Sequence, residues 1–128
     1  MACILVIDDE PAIRQVVRRA METAGHSIVE AENGHAGLQI LRSHRPQLVI
    51  TDLMMPKKEG LETIMEIRQT APDVRIIAIS GGGRSGNLDF LHLARKLGAC
   101  AALPKPFRYD ELLQAVEAAL GTSTGAAP

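Results

Sequence analysis

The sequence predicts an α/β domain: a five-stranded parallel sheet, doubly wound, with helices on both faces. Short apolar runs alternate with helix-period stretches through five βα units along the 128 residues. The runs are continuously apolar rather than alternating, which suits strands buried on both faces. Parallel strands need crossover connections, and each gap between runs has the length of one helix.

Each element has its own signal. Cys3-Ile4-Leu5-Val6-Ile7 is rich in β-branched residues and stops at Asp8. Pro11 opens a helix where its missing N–H costs nothing. Ile13, Val16, Val17, Ala20 and Met21 form the stripe expected to face the core, and Gly25 stands where a helix C-terminal cap belongs. Ser27–Ala31 is the second strand. Asn33 caps a helix with Gly37, Ile40 and Leu41 on one side. Gln47–Thr51 is the third strand, ending at Asp52. A helix with Leu61, Ile64 and Met65 inward runs to about Gln69. Val74–Ile79 is the fourth strand, ending at Ser80. Gly81-Gly82-Gly83 is a loop, followed by a helix from about Asn87 to Leu97 that Gly98 closes. Ala99–Leu103 is the fifth strand and the weakest, ending at Pro104-Lys105-Pro106. The last helix carries Leu112, Leu113, Val116 and Leu120. This assigns residues 1–120 to one domain and 121–128 to a tail or the start of a linker.

Composition narrows the function. With 46% hydrophobic residues the chain is not a disordered tail. Its 14 Lys+Arg against 15 Asp+Glu give a net charge of −1, so no direct nucleic-acid role is expected. Two Phe, one Tyr and no Trp argue against sites built on base or flavin stacking. Cys3 and Cys100 set no disulfide framework and no C-x-x-C motif, and read as small apolar residues in a reducing compartment. The N-terminus lacks a basic n-region, and no apolar stretch approaches the ~20 residues of a membrane span. The expected location is the cytoplasm, without membrane contact.

The chemistry lies at the strand ends. Asp8-Asp9 end the first strand, Asp52 the third, Ser80 the fourth and Lys105 the fifth. In a parallel sheet these ends share one edge, with neighbouring strands ~4.8 Å apart. With the first, third, fourth and fifth strands adjacent in that order, the five groups converge on the crevice where open α/β sheets bind ligands. Taken singly, an Asp after a strand reads as a helix cap or turn residue, and a loop Lys as a solvated charge. Together, three carboxylates repel each other unless a cation sits among them. Mg²⁺, a hard ion with oxygen ligands, suits such a set, and Mn²⁺ is an alternative. With Lys105 and Ser80 added, the set amounts to a phosphoryl-transfer kit.

At this point the sequence resembles the receiver domain of bacterial two-component response regulators, over residues 2 to about 120. Asp8-Asp9-Glu10 matches the acidic pair. Asp52-Leu-Met-Met-Pro56-Lys-Lys-Glu-Gly60 matches the phosphoacceptor pattern D-x-x-M-P-x-x-x-G. Ser80 matches the Ser/Thr position. Leu97-Gly98-Ala99 with Lys105-Pro106-Phe107 matches the closing signature. The resemblance implies a flavodoxin-like (βα)5 fold with strand order 2-1-3-4-5, and a single-domain regulator like those of chemotaxis. It implies Asp52 as phosphoacceptor, and Mg²⁺ held by Asp9, Asp52 and the Met54 carbonyl, with Asp8 acting through a metal-bound water. Lys105 and Ser80 would contact phosphate oxygens, and the Lys105–Pro106 bond would be cis. Met55 and Pro56 read as packing and turn residues, and Gly60 as relief for close backbone approach. The implied partners are a histidine kinase or histidine phosphotransfer protein, and a downstream protein or second copy at the fourth helix, fifth strand and fifth helix. His92, Arg95 and Lys96 are candidate exposed residues there. The domain would assist its own phosphorylation and dephosphorylation rather than turn over a substrate.

The sequence departs from that pattern at Ala102, where receivers usually carry the switch Tyr or Phe. Movement of the Gly81–Gly83 loop and the following helix is the expected substitute. Met54 and Gly82, two positions after Asp52 and Ser80, offer no polar group to orient an attacking water, so slow self-dephosphorylation is expected. His26, His35, His44 and His92 read as solvent-facing, and Arg18-Arg19 and Lys57-Lys58 as solvated faces, with kinase docking a minority reading for Lys57 and Lys58. Two alternatives stay open. One is a receiver belonging to a longer regulator with an output domain. The other is a small-molecule phosphatase or phosphotransferase with an Asp nucleophile, a class that usually shows D-x-D after its first strand.

Overall fold

A computed structural model describes residues 2–53, 59–80, 87–105 and 107–121, with backbone alone at 59, 60 and 87–91. The expectations for Met54 to Lys58, the Gly81–Gly83 loop, the Lys105–Pro106 bond and the tail from 122 onward lie outside the described residues.

The elements are β1 (Cys3–Ile7), α1 (Pro11–Thr23), β2 (Ser27–Ala31), α2 (Gly34–His44), β3 (Leu48–Asp52), α3 (Glu59–Thr70), β4 (Arg75–Ser80), α4 (Asn87–Leu97), β5 (Ala101–Pro104) and α5 (Tyr109–Leu120). All neighbouring strands pair in parallel, in the order β2-β1-β3-β4-β5. This is the doubly wound, flavodoxin-like order. Winding reverses between β1 and β3, so the connections leaving their carboxyl ends diverge and open a crevice there.

Alternate strand residues point to opposite faces, so continuous apolar strands supply two cores at once. Ile4, Val6, Ile50, Ile77 and Ile79 pack with Val17, Met21, Leu112 and Val116 of α1 and α5. Leu5, Ile7, Val49, Ile76 and Ala78 pack with Leu41, Leu61, Ile64, Ile67 and Ala94 of α2, α3 and α4. Start signals work as expected: Pro11 stands in the first turn of α1, and the Asn33 carboxamide accepts the Ala36 N–H at 2.8 Å.

The structure corrects several expectations. Val16 and Met65 face outward, 54% and 47% exposed. Each lies one residue, or 100°, from the centre of its helix's inward stripe, which is Val17, Ala20 and Met21 in α1 and Leu61, Ile64 and Ile67 in α3. β5 begins at Ala101 rather than 99, although the Cys100 N–H already donates to the Ile76 carbonyl at 2.8 Å. His26 is half-buried, and its Nδ1 accepts the Ala2 N–H at 3.1 Å. Burial holds its pKa below the usual value, and an acceptor role for Nδ1 also favours the neutral ring. Arg18 keeps 38% of its side chain exposed, as a solvated face does, but it also pairs with Glu30 at 2.6 Å and Glu22 at 2.9 Å.

Candidate functional site

Asp8 follows β1 directly, and its N–H donates to the Ala31 carbonyl at 3.1 Å, which extends the β1–β2 ladder by one step. Its carboxylate is fully buried. Oδ1 accepts the Glu10 N–H at 2.8 Å, and Oδ2 accepts the Lys105 ammonium at 3.0 Å. Asp52 is the last residue of β3, opposite Ile79 of β4, and is buried. Its Oδ2 lies 3.5 Å from Lys105 Nζ. Asp9 is exposed, yet Asp8, Asp9 and Asp52 each offer a carboxylate oxygen within 4.8 Å of the others.

Lys105 reaches this cluster because the β4–β5 pairing carries on past the strand end, with its N–H donating to the Ser80 carbonyl at 2.7 Å. Ser80 is buried at the last position of β4. The strand ends therefore gather all five predicted groups on one edge. Asp8, Asp52 and Lys105 form a bonded set, Asp9 completes the carboxylates, and Ser80 adjoins through its backbone. Met54, the remaining predicted ligand, lies outside the described residues.

The electrostatics follow from burial. Desolvation raises the pKa of Asp8 above the usual carboxylate value, with the Asp52 charge adding to it. The Glu10 N–H and Lys105 oppose the rise without cancelling it. Burial alone would lower the Lys105 pKa, but the Asp8 hydrogen bond and the Asp52 and Asp8 charges outweigh it, so the ammonium is held above its ordinary value. A permanent cation thus stands among the carboxylates.

The donor set fits a divalent ion. All three groups offer hard oxygen atoms, and opposite ligands of a six-coordinate Mg²⁺ stand about 4.2 Å apart. Small side-chain rotations separate the 4.8 Å spread from that requirement.

Two features escaped the sequence reading. Glu10, with its carboxylate 3.2 Å from Lys105, is a further acidic group at the site. Its place in the Asp8-Asp9-Glu10 triplet was the available signal. Arg14 of α1 donates from Nη1 to the Asp8 carbonyl at 2.8 Å and from Nε to Glu30 of β2 at 3.0 Å. No spacing rule links residues 14 and 30 in sequence.

The family model for the response regulator receiver domain matches residues 4–117. The chain belongs to the response regulator receiver family. Among curated relatives, response regulator MprA of Mycolicibacterium vanbaalenii is 36% identical over 125 residues, covering 94% of this chain and 51% of the relative. MprA of Mycobacterium avium is 36% identical over 121 residues, covering 91% and 50%. The chain thus spans about half the length of the curated relatives it matches. A receiver domain protein from Clostridium thermocellum superposes with a TM-score of 0.87 at 34% identity, covering 97% of this chain and 98% of that one. The receiver domain of NtrX from Brucella abortus gives 0.86 at 32%, covering 93% and 98%. Within this receiver, Ala102 of β5 pairs with Ala78 and is half-buried against the core beneath α2, α3 and α4. Among the described residues, no helix is long and apolar enough to cross a membrane.

Proposed function

We propose that Asp52 accepts a phosphoryl group from a phosphohistidine donor, on a histidine kinase or a histidine phosphotransfer protein. The observation that carries this reading is the Lys105 ammonium bridging Asp8 at 3.0 Å and Asp52 at 3.5 Å inside a cluster of three carboxylates. A carboxylate oxygen of Asp52 attacks phosphorus. The P–N bond of the donor breaks, and the imidazole nitrogen leaves with the electron pair and takes up a proton. Asp8, Asp9 and Asp52, with the Met54 carbonyl, would hold Mg²⁺. The ion supplies charge neutralisation for the transferring phosphoryl oxygens. Lys105, already cationic and aimed at Asp52, pairs with one phosphate oxygen, and the Ser80 hydroxyl donates to another.

The phosphorylated carboxylate carries about −1.5 to −2 charge at neutral pH. It signals by stabilising one of two conformations. The proposed readout face is α4, β5 and α5, where Leu93 and Tyr109 are exposed. The occupant is a partner protein or a second copy of the receiver. In this reading the receiver itself makes no nucleic-acid contact, residues 121–128 begin a tail or linker, and the chain works in a reducing cytoplasm, which the free thiols of Cys3 and Cys100 support.

Phosphotransfer profiling tests the reading. The purified chain is offered to phosphorylated histidine kinases and to a small acyl phosphate with Mg²⁺. One phosphoryl group per chain is expected, and none on Asp52→Asn. Labelling that survives Asp52→Asn, or no labelling by any donor, overturns it.

A further inference from the structure

We infer that Arg14 is a positioning residue for the acidic site, and that its pairing with Glu30 sets the direction in which Asp8 and Asp9 present their carboxylates. The inference rests on the metal-binding reading above and extends it to two residues outside the acidic cluster. Every polar atom of Asp8 is engaged. Its N–H goes to the Ala31 carbonyl, Oδ1 accepts from the Glu10 N–H, Oδ2 from Lys105, and its carbonyl accepts Arg14 Nη1 at 2.8 Å.

The peptide linking Asp8 to Asp9 is planar, so fixing the Asp8 carbonyl fixes the direction in which the Asp9 Cα leaves. The guanidinium is rigid and planar and donates to two acceptors at fixed relative angles. With Nε bound to Glu30 at 3.0 Å, Nη1 has little freedom except toward that carbonyl. Glu30 is itself anchored in β2, opposite Val6 of β1. The clamp thus runs from the edge strand through α1 to the turn bearing two of the three clustered carboxylates. Most of the Arg14 side chain is buried, with 17% exposed.

The structure contains its own control. Arg18 binds the same Glu30 carboxylate at 2.6 Å, and its other ion-pair partner is Glu22, on its own helix. Removing either arginine takes an ion pair from Glu30, but Arg14 alone of the two is bonded to Asp8.

Mn²⁺ titration followed by electron paramagnetic resonance, beside metal-free thermal melts, separates positioning from stability. Groups that orient metal ligands from behind typically cost about 10–100-fold in affinity when removed. Arg14→Met is expected to weaken Mn²⁺ binding by about tenfold or more. Arg18→Met should stay within about twofold of wild type, although both melt lower. Arg14→Lys covers the case in which Arg14→Met fails to fold. One ammonium cannot serve both acceptors in the same geometry, so it too should bind Mn²⁺ more weakly than wild type. Wild-type affinity in a folded Arg14 variant, or an equal loss in Arg18→Met, overturns this inference while the metal site stands. A wild-type protein with no Mn²⁺ affinity removes the metal reading itself, and this inference with it.

Discussion

Lys105 stands where buried carboxylates would otherwise face one another, with Nζ within 3.5 Å of Asp8, Glu10 and Asp52. Removing one member of a buried ion pair strands the other, at a cost of about 3–5 kcal/mol when both are fully enclosed. Glu10 is open to water, so Lys105→Met should destabilise the metal-free protein by about 2 kcal/mol, somewhat below that range. Mg²⁺ should then stabilise the variant more than it stabilises wild type, because the ion takes over the missing charge. Urea unfolding with and without Mg²⁺ measures both effects. An equal Mg²⁺ gain in the two proteins would show that ammonium and ion do not substitute for each other. At this scale the sequence was legible wherever a residue's position follows from its strand end, as with Asp8, Asp9, Asp52, Ser80 and Lys105. For Glu10 the acidic triplet was the one sequence signal, and its pairing was not legible because it depends on where a lysine 95 residues later arrives. Arg14 and Glu30 meet only because α1 returns across the sheet, and nothing in the local sequence marks that.

Between elements, two contacts control how helices seat on the sheet. α1 is tied to β2 through Glu30. The hydrogen bond from Arg18, then that from Arg14, holds the Glu30 pKa below its usual value of 4.5 against the opposing effect of burial. A depressed folded-state pKa means the unfolded chain binds the proton more readily, so this stabilisation is present above pH 4.5 and lost as pH falls through the folded-state value. The stability gap between wild type and Glu30→Gln should therefore stay level from pH 7 down to about 5 and close at more acid pH. A gap that persists undiminished in strong acid would assign the contribution to shape rather than charge.

α2 meets β1 at Gly37, where an added Cβ would lie 2.8 Å from Ile7 Cγ1, and Ile7 is fully buried. Ala is favoured over Gly in a helix by about 1 kcal/mol, but overpacking a tight core costs about 1–3 kcal/mol. Gly37→Ala should be net destabilising by about 1 kcal/mol. Ile7→Val, which removes the Cδ1 nearest the new methyl, should recover part of that loss in the double variant. Strict additivity in chemical denaturation would contradict the contact. Long periodic or β-branched elements, β1 to β4 and their helices, were readable because burial imposes the period. Val16, Met65 and the start of β5 were misread for a physical reason. A residue 100° from a stripe's centre can fall on either side of the boundary, and an alanine-rich run carries little strand preference.

Across the whole molecule the acidic site couples strands that are distant in sequence. Its groups come from the ends of β1, β3 and β5, with Ser80 of β4 joined by a backbone bond. These strands are three of the four at the centre and far side of one continuous sheet, so an ion held by all three carboxylates ties the end of β1 to the end of β3. An ion that binds them must therefore stabilise the cooperative core. The gain is RT ln(1 + [ion]/Kd), about 2.7 kcal/mol at a hundredfold excess over Kd. For a domain of this size that is a rise in Tm of several degrees. Native-state hydrogen exchange should show the gain at β1 and β3 amides that exchange only by global unfolding, and little of it at helix ends that open locally. Choline chloride at matched ionic strength should reproduce almost none of it, since screening alone does not bridge the three oxygens. A gain of the same size in choline chloride, or one confined to the β1–α1 turn, would mean that the carboxylates are merely screened and that the strand ends are not joined through a bound ion.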